Sequence, residues 1–341
     1  MNDIIITDVT LRDGGYRNNF NFTTEFAVET TRRLAQAGIP YVEIGYRKGS
    51  FVRKNEHGLT SAVDESYIDA LVDAADGKTN LCVMVHPRNI DDSDLAMLAD
   101  RGVAMVRVCL RRDQLDDGLA TIASVKRHGL KVSANVTHVT TMPLTAITEM
   151  SVRAEDAGAD IVVYADSNGN MIPSDTERLI SKLASRVAVP LGFHAHNNLS
   201  LALSNALAAA DAGAEYIDAS LCGMGKGAGN LHLSMIAAYL DRLDAPTRYD
   251  LVKVLELSSY AAQHVTESSL PAPLVDIMLG AYNISFDAKQ KIAATIADNS
   301  EAEWFRTLRR VRDQRKAAEA DSAPQHAAPA RRPTDTRVGA L

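Results

Sequence analysis

The sequence predicts an α/β chain folded as a (β/α)8 TIM barrel with a C-terminal helical extension. Two observations carry that expectation. Eight short, β-rich apolar runs recur over residues 1–245, each followed by an amphipathic stretch of helical length. Alternation of this kind implies parallel strands joined by helical crossovers, and eight such units in about 245 residues match the barrel. The second observation removes the rival. An open doubly wound sheet carries a glycine fingerprint where its first crossover helix begins, and RDGGYRNN after the first run lacks that spacing.

The strand candidates are Ile4–Thr10, Tyr41–Tyr46, Leu81–His86, Ala104–Leu110, Lys131–Val139, Asp160–Asp166, Pro190–His196 and Tyr216–Cys222. Helical periodicity marks, among others, Thr24–Ala37, Asp117–His128, Leu144–Ala157 and Asp175–Arg186. Several helices close on a small-residue and glycine signal, in LAQAGI, LADRGV, AEDAGAD and AADAGAEY; glycine there reverses the chain after the last helical turn. After Leu243 the pattern becomes purely helical, over Tyr249–His264, Pro273–Tyr282, Ala288–Asp298 and Glu301–Ala320. Three segments are therefore expected: a barrel domain at 1–245, a helical extension at 246–320 and a tail at 321–341. The tail is rich in Ala, Pro and Arg. It buries too little apolar surface to offset its ordering entropy and is predicted to be disordered.

Composition narrows the function classes. The chain has 341 residues, 46% of them apolar, and a net charge of −7, so it attracts no phosphate backbone. Aromatic residues make up only 5%, which disfavours base stacking as well. A nucleic-acid partner is not expected. No apolar run is long enough to span a bilayer, and MNDIIITDVTLRDGG lacks the basic, apolar and cleavage regions of a signal peptide. Cys82, Cys109 and Cys222 are odd in number and far apart, which reads as small core residues in a reduced protein. A soluble, cytoplasmic protein is expected.

In a barrel, side chains at the C-terminal strand ends converge on one face, and chemistry sits there. His194 and His196 in FHAHNN lie two apart on one strand and so share a face. Two imidazoles on one face suit a divalent metal, and Asp13, after the first strand, can supply a carboxylate to the same space. Asn230, closing the loop after the eighth strand, adds an oxygen donor, and mixed nitrogen and oxygen ligation favours Mg²⁺ or Mn²⁺. Arg12 can clamp a carboxylate or stabilise an enolate oxygen, or it can hold Glu43 on the second strand. The loop Gly223–Asn230 lacks the Lys-Ser/Thr ending of a phosphate-binding loop. Its glycines, Gly225 and Gly227, are candidates to present backbone N–H groups to a substrate anion. No strand end carries a lysine suited to a Schiff base, so metal-assisted chemistry is expected.

The ordered set TLRDGG, VEIG and GFHAHNNLSLALSNALAAADAGAEYIDASLCGMGKGAGN resembles the DRE-TIM metallolyase superfamily. That group includes hydroxymethylglutaryl-CoA lyase, isopropylmalate and homocitrate synthases and 4-hydroxy-2-oxovalerate aldolase. HAHNNLSLALSNA and GMGKGAGN look most like the aldolase branch. The resemblance implies that Asp13, His194 and His196 bind the metal, with Asn230 near it. It implies that Arg12 stabilises a pyruvate enolate and that Glu43 holds Arg12. His138 and Asp166 fall where relatives line the pocket, and Tyr282 in LGAYNISF resembles a tyrosine bordering the acceptor aldehyde. One departure concerns the base. These aldolases carry a histidine three residues after the ligand aspartate, where this chain has Tyr16. A phenol with an ordinary pKa near 10 is a poor base at neutral pH, so Tyr16 is expected to orient the aldehyde instead. The Ala/Pro tail does not resemble the ending of aldolases that pass aldehyde to a dehydrogenase, so that partner is not expected, whereas a homodimer is.

The implied activity is a metal-dependent class II aldolase, cleaving a 4-hydroxy-2-oxo acid to pyruvate and an aldehyde. Two alternatives stand beside it: a Claisen-type acyl-CoA:2-oxo acid acyltransferase on the same fold, and a catalytically idle scaffold.

Overall fold

The computed structural model describes residues 4–49, 57–243, 249–269, 274–296 and 300–322. Eight parallel strands close into a barrel in chain order: β1 (Ile5–Asp8), β2 (Tyr41–Tyr46), β3 (Asn80–Val85), β4 (Met105–Leu110), β5 (Lys131–Val136), β6 (Ile161–Asp166), β7 (Leu191–Ala195) and β8 (Ala214–Ala219). Each is followed by its crossover helix: α1 (Thr24–Gln36), α2 (Glu65–Ala75), α3 (Asp92–Asp100), α4 (Leu115–Arg127), α5 (Leu144–Asp156), α6 (Pro173–Ala184), α7 (Ala202–Asp211) and α8 (Leu233–Arg242). β1 closes the barrel on β8, with Ile5 opposite Tyr216 and Thr7 opposite Asp218.

Alternation decides what each strand residue does. One set, including Ile6, Val42, Val83, Val106, Val132, Val162, Phe193 and Ile217, packs in the main apolar core. The other set fills the barrel's interior in layers. Cys82, Met105, Ile161, Val163 and Tyr216 form a separate small cluster. The Lys131 ammonium sits beside it, hydrogen-bonded to the hydroxyls of Tyr41 (3.1 Å) and Tyr216 (3.0 Å).

The strand candidates are right in number and order; β2, β4 and β6 end where expected, whereas the other five overrun at the C-terminal mouth. β1 stops at Asp8 and not Thr10, because the Thr10 N–H donates to the Asp8 carboxylate at 3.0 Å instead of to a neighbouring strand. β5 stops at Val136, and His138 takes a left-handed conformation (φ 58°). β8 ends at Ala219 and Cys222 is also left-handed (φ 53°). These are the places where the chain must turn out of the sheet into a loop.

Beyond the barrel lie α9 (Leu251–His264), α10 (Leu274–Ala281) and α11 (Phe286–Ala293). Residues Met1–Thr295 form one compact unit and Ile296–Leu341 a second, which carries α12 (Glu301–Ser322). The expected disordered tail begins two residues inside α12, and its residues 323–341 lie outside those described, as do Pro273 and positions 297–298 of the expected helices. No helix among the described residues is long and apolar enough to cross a membrane.

The α10–α11 segment is fastened to the barrel's loops by amide side chains. Asn198 donates to the Asp276 carbonyl (2.8 Å) and Asn170 to the Gly280 carbonyl (2.6 Å). Asn283 accepts from Thr140 Oγ1 (2.8 Å) and Asn168 Nδ2 (2.5 Å) and donates to the Thr140 carbonyl (2.8 Å). Replacing it strands several partly buried polar groups, at a cost of about 1–3 kcal/mol. In Asn283→Ala, amide hydrogen exchange across 274–293 is expected to quicken at least tenfold while the strand amides keep their protection. Unchanged exchange in that segment would contradict this account of how it is held.

Candidate active site

At the mouth, the chain after β1 folds back so that the N–H groups of Asp13 and Gly14 both reach the Val9 carbonyl, at 2.8 and 3.2 Å. This turn sets Arg12 and Asp13 side by side. Arg12 Nη1 meets Asp13 Oδ1 at 2.5 Å, and its Nε donates to Glu43 Oε2 at 2.7 Å. Glu43 is wholly buried inside β2. The same Oε2 accepts from Arg107 Nη1 (3.0 Å), whose Nη2 reaches Asp218 Oδ2 (2.6 Å), and that oxygen faces His194 Nδ1 at 2.9 Å. A continuous buried chain of charges thus joins the first strand end to the seventh. Asn135, with its amide oxygen toward Arg107 Nη2 at 2.7 Å, closes its side.

His194 and His196 do share a face, with ring centroids 4.9 Å apart. Their tautomers follow from their partners. A carboxylate opposite His194 Nδ1 places the proton there and leaves Nε2 3.9 Å from Asp13 Oδ2. The Gly229 carbonyl, 3.2 Å from His196 Nδ1, can only accept, so the Nε2 lone pair of His196 is free to ligate. One donor atom each from Asp13, His194 and His196 lie within 4.8 Å of one another.

The loop after β8 supports Asp13 from behind. Asn230 Nδ2 donates to Asp13 Oδ2 (2.8 Å), as does the Lys226 N–H (3.3 Å). The buried Asn230 Oδ1 has no hydrogen-bond partner among the described residues. Two glycines are required here. A Cβ on Gly225 would lie 2.4 Å from the Asn230 amide carbon, and Gly229 adopts φ +93° against the Gly223 carbonyl. One carboxylate, two imidazoles with outward-orienting partners and an orphaned amide oxygen beside them fit a divalent cation.

The electrostatics agree. Burial alone would raise the Asp13 carboxyl, but the Arg12 guanidinium, the two imidazoles and the Asn230 amide outweigh it and hold it well below the usual carboxylate range. Burial pushes His196 down to about 3, so it is a neutral ligand at pH 7. Burial pushes Asp8 up to about 7 against its hydrogen bonds from Thr10, with the Glu43 and Asp218 charges adding to the rise.

These groups open into a cavity of about 270 Å³, lined on its floor by Arg12, Asp13, His194 and His196 and on its walls by Tyr16 and His138. Tyr16 Oη lies 3.3 Å from Tyr46 Oη. Six of the expected site residues do not line it. Asp166 is buried and accepts the N–H groups of Asn170 and Met171, so it shapes the loop after β6. Gly225 packs on Asn230, and the loop reaches the cavity through Lys226, not Gly225 or Gly227. Tyr282 also lies off the lining, to which its segment contributes Phe286, Asp287 and Gln290 instead. Glu43 and Asn230 stand one layer behind the wall, acting through Arg12 and Asp13. Sequence reasoning passed over Arg107 and Asp218, although a lone charge inside MVRVCL and AEYIDAS is a signal, since a charge in an apolar strand needs a buried partner.

The family model for HMGL-like proteins matches residues 3–260. The chain is 34% identical over 281 residues to a 4-hydroxy-2-oxovalerate aldolase from Moorella thermoacetica, covering 81% of this chain and 82% of that protein. It is 31% identical over 272 residues to 4-hydroxy-2-oxovalerate aldolase 2 from Rhodococcus jostii, covering 80% and 78% respectively. Among solved structures, the carboxyl transferase domain of Rhizobium etli pyruvate carboxylase with pyruvate and biocytin superposes with a TM-score of 0.76 at 17% identity, covering 93% of this chain and 57% of that one. That likeness is one of fold.

The raised Asp8 makes a prediction of stated sign. Between the ordinary value of 3.8 and about 7, the folded state keeps a proton that the unfolded state has lost. Stability therefore falls as pH rises through this window. Asp8→Asn has no such proton. In urea titrations with EDTA present, wild type is expected to lose up to about 4 kcal/mol relative to the variant between pH 4 and 8. Parallel profiles would refute the assignment.

Proposed function

The chain belongs to the HMGL-like family, and from that premise we propose that it is a divalent-metal-dependent aldolase that reversibly cleaves a 4-hydroxy-2-oxo acid to pyruvate and an aldehyde. The observation that carries this reading is the convergence of Asp13, His194 and His196 beside Arg12 on the floor of one cavity. Mn²⁺ or Mg²⁺ is the proposed ion, held by Asp13, His194 and His196 with Asn230 as the adjacent oxygen donor. Bound there, it supplies Lewis-acid polarisation of the 2-oxo acid.

The protein's own residues do the rest. Arg12 uses Nε on Glu43 and Nη1 on Asp13, so the guanidinium is fixed before substrate arrives. Preorganisation of this kind lets it favour the enolate oxygen over the ketone, since no reorganisation is needed as the charge develops. Glu43 and Arg107 act as positioning residues for it. Loss of the C4 hydroxyl proton breaks the C3–C4 bond, with its electron pair passing to the enolate. Burial lowers the pKa of His138, which leaves a neutral imidazole as the proton acceptor. Tyr16, backed by Tyr46, orients the C4 oxygen.

The proposal extends to setting and assembly. The three cysteines are not disulfide-bonded, in keeping with a reducing cytoplasm. Val252 and Leu255 on α9 and Leu274 and Ile277 on α10 are large apolar side chains exposed by about half or more, which suits pairing of two copies. No dehydrogenase partner is proposed.

Pyruvate in D₂O tests the reading by proton NMR. The methyl signal is expected to disappear with protein and Mn²⁺ and to persist with EDTA. Tyr16→Phe is expected to keep this exchange while its retro-aldol kcat falls at least tenfold, because only the aldehyde half of the reaction needs the phenol. Absence of exchange into pyruvate, with exchange into an acyl-CoA instead, would replace the aldolase by the acyltransferase.

A further inference from the structure

The floor of the cavity and its mouth differ in kind. Arg12, Asp13 and His194 on the floor have side chains no more than 8% exposed. At the mouth, Lys226 is 22% exposed and Asp287 61% exposed, with Nζ 3.1 Å from Oδ1. The Lys226 ammonium lies 5.0 Å from the Phe286 ring centroid and 5.4 Å from that of Tyr16. Gln290, one turn along α11 from Phe286, lines the same space, as does His138. This end receives whatever extends beyond the carbon attacked by pyruvate, because the 2-oxo acid occupies the floor.

We propose that the mouth is an acceptor subsite selecting neutral aldehydes that carry hydroxyl groups beyond the carbonyl carbon, read by Lys226, Asp287 and Gln290. The inference rests on the aldolase reading and refines its substrate class.

The chemistry of the wall decides among three kinds of acceptor. An alkyl chain would displace water from the Lys226–Asp287 pair and return no hydrogen bond, which penalises binding. A second anionic group would face the Asp287 carboxylate. Among the described residues of this wall, the cations Lys226 and Arg111 are also already matched, Lys226 by Asp287 and Arg111 by a bidentate contact to Asp113 at 2.9 and 2.9 Å. A hydroxyl suits both partners, donating to Asp287 and accepting from one of the remaining Lys226 protons. Gln290 offers a donor and an acceptor on the next turn. The wall is also held in place. Ser285 Oγ caps α11 by accepting the Ala288 N–H at 3.2 Å, and Lys289 pairs with the buried Asp276 at 2.6 Å. A site whose polar groups are fixed discriminates by what it leaves unpaired.

The test uses full-length protein with Mn²⁺ and pyruvate and compares kcat/KM for aldol addition to four aldehydes. These are glyceraldehyde, propanal, succinic semialdehyde and phosphonoacetaldehyde. Glyceraldehyde is expected to exceed each of the others at least tenfold. In Asp287→Leu, and separately in Lys226→Met, the glyceraldehyde-to-propanal ratio is expected to fall at least fivefold. A wild-type preference for propanal would overturn the inference in favour of an apolar subsite. Preference for either anionic aldehyde would overturn it in favour of anion recognition by Lys226 and Arg111. An unchanged ratio in both variants would also overturn it. Deuterium exchange into pyruvate on the same wild-type sample separates the failures. Exchange with the wrong aldehyde preference removes this inference alone, whereas no exchange and no addition removes the aldolase reading with it.

Discussion

A single carboxylate oxygen, Glu43 Oε2, binds two guanidinium groups inside the barrel, Arg12 at 2.7 Å and Arg107 at 3.0 Å. Everything at the floor depends on it. Breaking one member of such a buried set leaves an uncompensated charge, which costs about 3–5 kcal/mol. Glu43 thereby fixes Arg12, which fixes Asp13, while Arg107 carries the constraint to Asp218 and His194. Two guanidiniums face three carboxylates, Asp13, Glu43 and Asp218, so the set carries one excess negative charge. A divalent cation held by Asp13 and the two histidines, as proposed, would reverse that sign and suit the floor to an anionic 2-oxo acid.

Barrel geometry brings these residues together from distant parts of the chain. Parallel register sets Thr7 against Asp218 and His194 against Asp218, so residues 24 apart in sequence meet across adjacent strands. Neutral His196 and strongly acidic Asp13 follow from burial and neighbours, not from residue type alone. The floor is thus rigid and charge-matched. The mouth, with Lys226 and Asp287, is more exposed and is built partly from later segments, and the proposed acceptor subsite lies there.

Much of this was legible in the sequence. Strand and helix periods disclose the barrel, and the two-residue spacing of His194 and His196 places them on one face. Arg12, Asp13, Tyr16 and His138 all reach the cavity. The losses have physical causes. Strand ends blur where side chains such as Asp8 capture backbone groups that periodicity assigns to the sheet. Asp166 shows the limit of position, since it sits at a strand end yet spends both oxygens on backbone N–H groups. The lining by Phe286 and Asp287 was not readable because Asn168, Asn170 and Asn198 fasten α10–α11 through contacts more than 70 residues apart in sequence.

The central claim is that Asp13, His194 and His196 form one divalent-metal site. Titration of the protein with Mn²⁺, following the free ion by electron paramagnetic resonance, tests it most directly. One Mn²⁺ per chain is predicted for wild type, with affinity at least a hundredfold lower in Asp13→Ala and in His196→Ala. Unchanged stoichiometry and affinity in both variants would contradict it.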